Sequence, residues 1–80
     1  MKNPVPTPYQ LVAKALEISE SDLHPNSAFG ETPNWDSLNH LMLIDSMEKN
    51  YEVTIANDEI EKYNNMAAIE SLYRTAILRK

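Results

Sequence analysis

Asp36-Ser37-Leu38 is where side-chain type and spacing offer chemistry in this sequence. A small hydroxyl stands there between a proline-containing loop and an amphipathic stretch. At a helix start it is exposed and nearly free of packing duties, so another enzyme could reach it. His40, three positions on, shares a helix face with Ser37 at that spacing, and with Asp36 adjacent the grouping invites a hydrolytic reading. A working triad, however, needs a carboxylate that orients the histidine from its far side and an oxyanion hole beside a pocket. Asp36 as N-cap points at its own helix amides instead, which makes His40 a surface histidine; His24, before Pro25, has no apparent partner either. Asp45-Ser46-Met47 repeats the pattern of acid, hydroxyl and apolar residue, but periodicity continues on both sides of it. Ser46 is therefore expected mid-helix, its hydroxyl free to bond back to an earlier carbonyl. Asp58, Glu59 and Glu61 lack the glycine and oxygen-ligand spacing of a calcium loop, so they read as a solvated helix start and not as a metal site.

Four helical segments must position Ser37, and no stretch reads convincingly as a strand. Residues 1 to 6 are extended by Pro4 and Pro6. Thr7 is then an N-cap, Pro8 occupies the first helical position and Gln10 closes a capping box. Leu11, Val12, Ala15, Leu16 and Ile18 give this first helix an apolar face, with its end expected near Ile18 to Glu20. A long connection follows from Ser21 to Trp35, holding the single glycine, Gly30, and anchored by Leu23, Phe29 and Trp35. The second helix is expected from Ser37 to Asn50 with Asp36 as its cap. Centring its buried face on Ile44 places Leu41, Met47 and Tyr51 within about 60° of that centre, with Met42 facing nearly the opposite way. Residues 51 to 55 alternate but have no strand to pair with, so they read as a packed loop. Asn57 caps a short third helix through Tyr63, and Asn64 or Asn65 caps a fourth with Met66, Ile69, Leu72, Tyr73, Ala76 and Ile77 on its apolar face. Arg79 and Lys80 suit the negative end of that last helix.

Composition bounds the function classes. Eighty residues form one domain, 1–80, and a chain so short buries only about 60% of the surface its unfolded form exposes. That leaves little room for a deep active site. The chain has no cysteine, hence no disulfide, no thiolate metal site and no cysteine nucleophile of its own. No run approaches the roughly 18 apolar residues of a membrane span, and the first residues lead into no signal-peptide hydrophobic region. The expectation is a cytoplasmic monomer. The net charge of -5 is unevenly spread: -2 over residues 1 to 35, -6 over 36 to 70 and +3 over 71 to 80. The segment that begins near Ser37 is the acidic one; it repels nucleic acid and attracts basic patches on partner proteins.

Asp36-Ser37-Leu38 opening a helix in a short, acidic, all-helical chain resembles the prosthetic-group site of the acyl carrier proteins. The resemblance extends from about Leu11 to Tyr73 and includes Phe29 in the loop, Tyr51 fourteen residues after Ser37, and Ile55 before the third helix. It implies an all-α four-helix bundle of acyl-carrier type, with a long first loop and a short third helix. It also implies that Ser37 carries 4'-phosphopantetheine, derived from coenzyme A by a separate phosphopantetheinyl transferase, and that the thiol of this arm holds acyl groups as thioesters. The protein itself then catalyses nothing. Asp36 would serve the helix cap and transferase recognition. Leu38, Leu41 and Met42 would contact acyl-activating, condensing or acyl-transfer enzymes, and Asp45, Glu48 and Glu52 would meet their basic docking patches. Asn34 and Trp35 stand where the commonest members have small residues, and His40, Met42 and Lys49 dilute the acidity of the second helix, which suggests a specialised carrier over a housekeeping one. An aminoacyl or peptidyl carrier shares the same site. An unmodified helical adaptor that holds a partner helix in a groove explains Met42 and the acidic middle but not the placement of Ser37.

Overall fold

Thr7 is extended, with Pro6 before it and Pro8 at the first helical position, and from there it caps a helix. In the computed structural model, which describes residues 5–78, helix α1 (Pro8–Leu16) begins with both halves of the capping box formed. The Thr7 hydroxyl accepts from the Gln10 amide at 3.2 Å, and the Gln10 side chain accepts from the Thr7 amide at 3.0 Å. The extended start at residues 1 to 4 and the basic ending at Arg79 and Lys80 lie outside the described residues. α1 stops at Leu16, two residues short of the expected end, because Glu17 turns left-handed at φ 58°. Its amide donates to the Lys14 carbonyl and that of Ile18 to the Ala13 carbonyl, the paired bonds that close a helix where glycine is usual. Leu11, Val12, Ala13 and Leu16 are buried, while Ala15 and Ile18 are half-buried.

The connection to the next helix is less irregular than the sequence suggests. It contains a 3₁₀ turn at Glu20–Asp22 and an isolated antiparallel bridge between Ala28 and Asn65. Phe29 donates to the Asn64 carbonyl at 2.8 Å and Met66 to that of Ser27 at 3.0 Å. Leu23 and Trp35 are buried as expected. Phe29 is not a core anchor: it is 40% exposed.

α2 (Ser37–Tyr51) runs one residue past its expected end and also finishes at a left-handed glutamate, Glu52, φ 54°. Its buried residues are His40, Leu43, Ile44, Met47 and Tyr51. This set is centred about 45° to the Leu43 side of Ile44 on a 100° wheel. The rotation lifts Leu41 out of the core, to 54% exposure, and takes His40 into it. The stretch after α2 is a packed loop, with Ile55 buried.

The third segment, Asn57–Tyr63, is a short helix as expected, of 3₁₀ form, with Ala56 in place of Asn57 at the cap position. Three residues per turn eclipse positions three apart. Tyr63 is buried and Ile60 half-buried, three positions apart on the face turned to the core. α3 (Met66–Tyr73) is capped by Asn65, whose side chain accepts from the Ala68 amide at 2.8 Å. The backbone then widens into a π turn at Arg74–Leu78. Met66 and Ile69 are fully buried, with Leu72, Tyr73, Ala76 and Ile77 half-buried on the same face.

α1 packs against α2 and α3, and the 3₁₀ segment closes the bundle against α2 and α3. The result is a small all-helical bundle with no strand among the described residues. Its radius of gyration, 11.7 Å, is close to the roughly 12 Å of a folded chain this long. Tyr51 ties its parts together: the buried phenol donates to the Pro6 carbonyl at 3.1 Å, and its ring lies 5.4 Å from that of Tyr73.

Burial, with Tyr73 adding to it, pushes the Tyr51 phenol above its ordinary value of 10.0. A raised acid favours the protonated form in the fold, so its contribution is complete below pH 10 and declines above it. Chemical denaturation from pH 8 upward should show stability falling beyond about pH 10. Tyr51→Phe should reduce that slope while lowering neutral-pH stability by about 1 kcal/mol through the lost hydrogen bond. Glu17→Gly should raise stability by about 0.5 to 1 kcal/mol, since glycine adopts the left-handed conformation without steric strain.

Candidate functional site

The junction from Asn34 to His40 is built so that one hydroxyl is left uncovered. Asn34 is left-handed, φ 64°, a conformation asparagine tolerates better than most residues. Its side chain donates to the Leu16 carbonyl at 2.9 Å, tying the end of the loop to the end of α1. Its own carbonyl accepts from the Asn39 side chain at 2.9 Å. Gly30, at φ 83°, turns the loop so that its amide reaches the Trp35 carbonyl at 3.0 Å. No atom would obstruct a Cβ there, so conformation and not space calls for glycine.

Asp36 caps α2 as expected, accepting from the Asn39 amide at 3.0 Å. Ser37, the first residue of α2, is exposed, and its hydroxyl makes no hydrogen bond with any described residue. It stands at the positive end of a fifteen-residue helix, a setting that favours negative charge. On one side is an open depression of about 390 Å³ walled by Phe29, His40, Leu41, Glu61 and Asn64. On the other is a shallow hollow shared by Phe29, Gly30, Trp35 and Asp36.

His40 corrects the expectation of a surface histidine. It is 5% exposed. The Trp35 indole donates to His40 Nδ1 at 3.0 Å, and His40 Nε2 lies 2.9 Å from the Ile60 carbonyl oxygen. An indole N–H only donates and a carbonyl only accepts, so the partners assign the neutral form with the proton on Nε2. Phe29 packs edge-on against the imidazole at 5.7 Å between centroids. Both ring nitrogens are engaged away from Ser37, and Asp36 faces the amides of α2, so Asp36, Ser37 and His40 are not arranged as a triad. The signal for His40 was available in the sequence: a buried indole requires an acceptor, and His40 lies only about 40° from Ile44 on the wheel. His24 is exposed but not partnerless, accepting from the Asn26 amide at 3.1 Å.

The remaining residues fall into two groups. Leu38, Leu41 and Met42 are exposed at 69%, 54% and 53%. They form one wall of a groove of about 750 Å³ whose other side includes Lys14 of α1 and Glu17 just past its end. The charges are less available than the sequence suggests. Asp45 pairs with Lys49 at 3.0 Å, and half-buried Glu48 accepts from the Ile55 amide at 2.9 Å, holding the loop after α2. Glu52 is exposed in its left-handed terminal position. Ser46 lies mid-helix and half-buried in the groove wall.

Among the described residues no group of His, Asp and Glu could hold a metal ion, and no helix is long and apolar enough to cross a membrane. No protein-family model matches this chain.

Removing the carboxylate at Asp36 should loosen this junction. Asp36→Ala should cost about 1 kcal/mol in urea denaturation, and amide exchange should speed up at Asn39. Asp36→Asn, which keeps the acceptor, should lose much less.

Proposed function

We propose that the protein is a carrier whose Ser37 is covalently modified with 4'-phosphopantetheine by a separate transferase. The observation that carries this reading is the exposed Ser37 hydroxyl, without a hydrogen bond among the described residues, at the first position of a capped helix. Ser37 Oγ forms the new ester bond to the phosphorus of coenzyme A nearest the pantetheine, adenosine bisphosphate departs, and the hydroxyl proton passes to a base of the transferase. The residues present fit the group. No side chain covers the oxygen, the positive end of α2 favours the anionic phosphodiester, and space lies open on both sides of the attachment point. Once attached, the arm supplies the thiol that the cysteine-free chain lacks, holding acyl groups as thioesters.

Leu38, Leu41 and Met42 begin immediately beside Ser37, so a partner that reaches the serine also meets an apolar contact surface. Methionine suits a surface that meets several partners, because its flexible thioether adapts to different shapes. The acidic segment around it attracts enzymes with basic patches, an attraction that salt weakens. Transient docking of this kind needs no large interface. An aminoacyl or peptidyl carrier would use the same serine. A second reading, an unmodified adaptor, draws on the groove of about 750 Å³ between α1 and α2; partner binding retained by Ser37→Ala, with no modified form in cells, would favour it.

Incubation with coenzyme A and a broad-specificity transferase should add the mass of one phosphopantetheine. Ser37→Ala should abolish the gain and Ser46→Ala should leave it intact. No gain, or a gain that survives Ser37→Ala, overturns the carrier reading.

A further inference from the structure

His40 is a buried polar residue with no part in the chemistry proposed for Ser37, yet it touches every element that frames that serine. Its Nδ1 takes the indole proton of Trp35, two residues before Ser37, and its Nε2 reaches the Ile60 carbonyl of the 3₁₀ segment. Its ring also bears the edge of Phe29. The loop before the serine, the first turn after it and the segment holding Glu61 are thus joined through one imidazole. Phe29, His40 and Glu61 are also walls of the depression beside Ser37.

We infer that His40 is a positioning residue for modification at Ser37. In its neutral form it fixes the angle at which the loop enters α2 and the distance from Ser37 to the 3₁₀ wall. This rests on the carrier reading of Ser37. The physical basis is the alternation of donor and acceptor along the relay. Indole N–H, imidazole Nδ1, imidazole Nε2–H and carbonyl oxygen are each matched once, within a buried setting where an unmatched group is costly. A phenyl ring fills similar space but matches neither end, leaving the indole N–H and the Ile60 carbonyl without their partner. The junction would then relax, and the hydroxyl would leave the position a transferase requires. Displacement by about 1 Å can slow a reaction on the order of a hundredfold. A glutamine at position 40 offers an acceptor and a donor at comparable separation and can satisfy both ends.

The test compares wild type, His40→Phe, His40→Gln and Trp35→Phe as substrates of one transferase with coenzyme A. It is run at a temperature where circular dichroism shows each variant folded. His40→Phe should lower kcat by about tenfold or more. Its KM for the carrier should stay within about twofold, because the docking residues Leu38, Leu41 and Met42 are untouched. His40→Gln should restore most of kcat. Trp35→Phe removes only the donor end and should reproduce the kcat loss, so it serves if His40→Phe does not fold. Ring nitrogen shifts of wild-type His40 should report the Nε2–H tautomer without any loading. Wild-type modification with unchanged kcat in the variants, or an Nδ1–H tautomer, overturns the positioning role alone. Failure of wild type to be modified overturns the carrier reading, and the positioning role with it.

Discussion

The indole N–H of Trp35 must find an acceptor inside a core made mainly of apolar side chains, and much of the structure around Ser37 follows from that requirement. Trp35 is 2% exposed. Its ring is valuable there as apolar bulk, but its single proton would be costly without a partner. His40 supplies the acceptor and transfers the requirement to its other nitrogen, which the Ile60 carbonyl meets. The rotation of α2 about its axis follows, since His40 must turn inward. Leu41 turns outward as a result and joins Leu38 and Met42 in the apolar surface beside the serine. Burial of His40 and exposure of Leu41 are two sides of one orientation of α2.

A second constraint acts at the other end of the junction. Asn34 reaches the Leu16 carbonyl where α1 has just ended on left-handed Glu17, so the stop of one helix fixes the approach to the next. Asp36 then meets an exposed amide of the first turn with its own carboxylate. With these needs met by their neighbours, neither the cap nor the core requires the Ser37 hydroxyl. Its availability is a consequence of how completely the surrounding polar groups are matched; among the described residues, no buried side-chain nitrogen or oxygen lacks a partner.

Helix starts were the most legible feature of the sequence. Thr7, Asp36 and Asn65 each cap where a short polar side chain precedes a periodic stretch, because capping is a local interaction over three or four residues. Helix ends were less so, since Glu17 takes a conformation that composition assigns to glycine. Hydropathy centred α2 on Ile44, but it has no means of ranking a histidine above a leucine for a core position. That error exchanged His40 with Leu41. Asn57–Tyr63 was visible as a helical segment, but seven residues are too few for hydrophobic periodicity to separate 3₁₀ from α spacing. The Asp45–Lys49 pair and the role of Glu48 as acceptor for Ile55 are contacts that a count of charges does not reveal.

The most direct measurement of the central claim is the intact mass of the protein purified from its native host, with fragmentation to locate any added group. The account predicts a single phosphopantetheine, carried by Ser37. Protein that is uniformly unmodified in growing cells, or an adduct on any other residue, would contradict it.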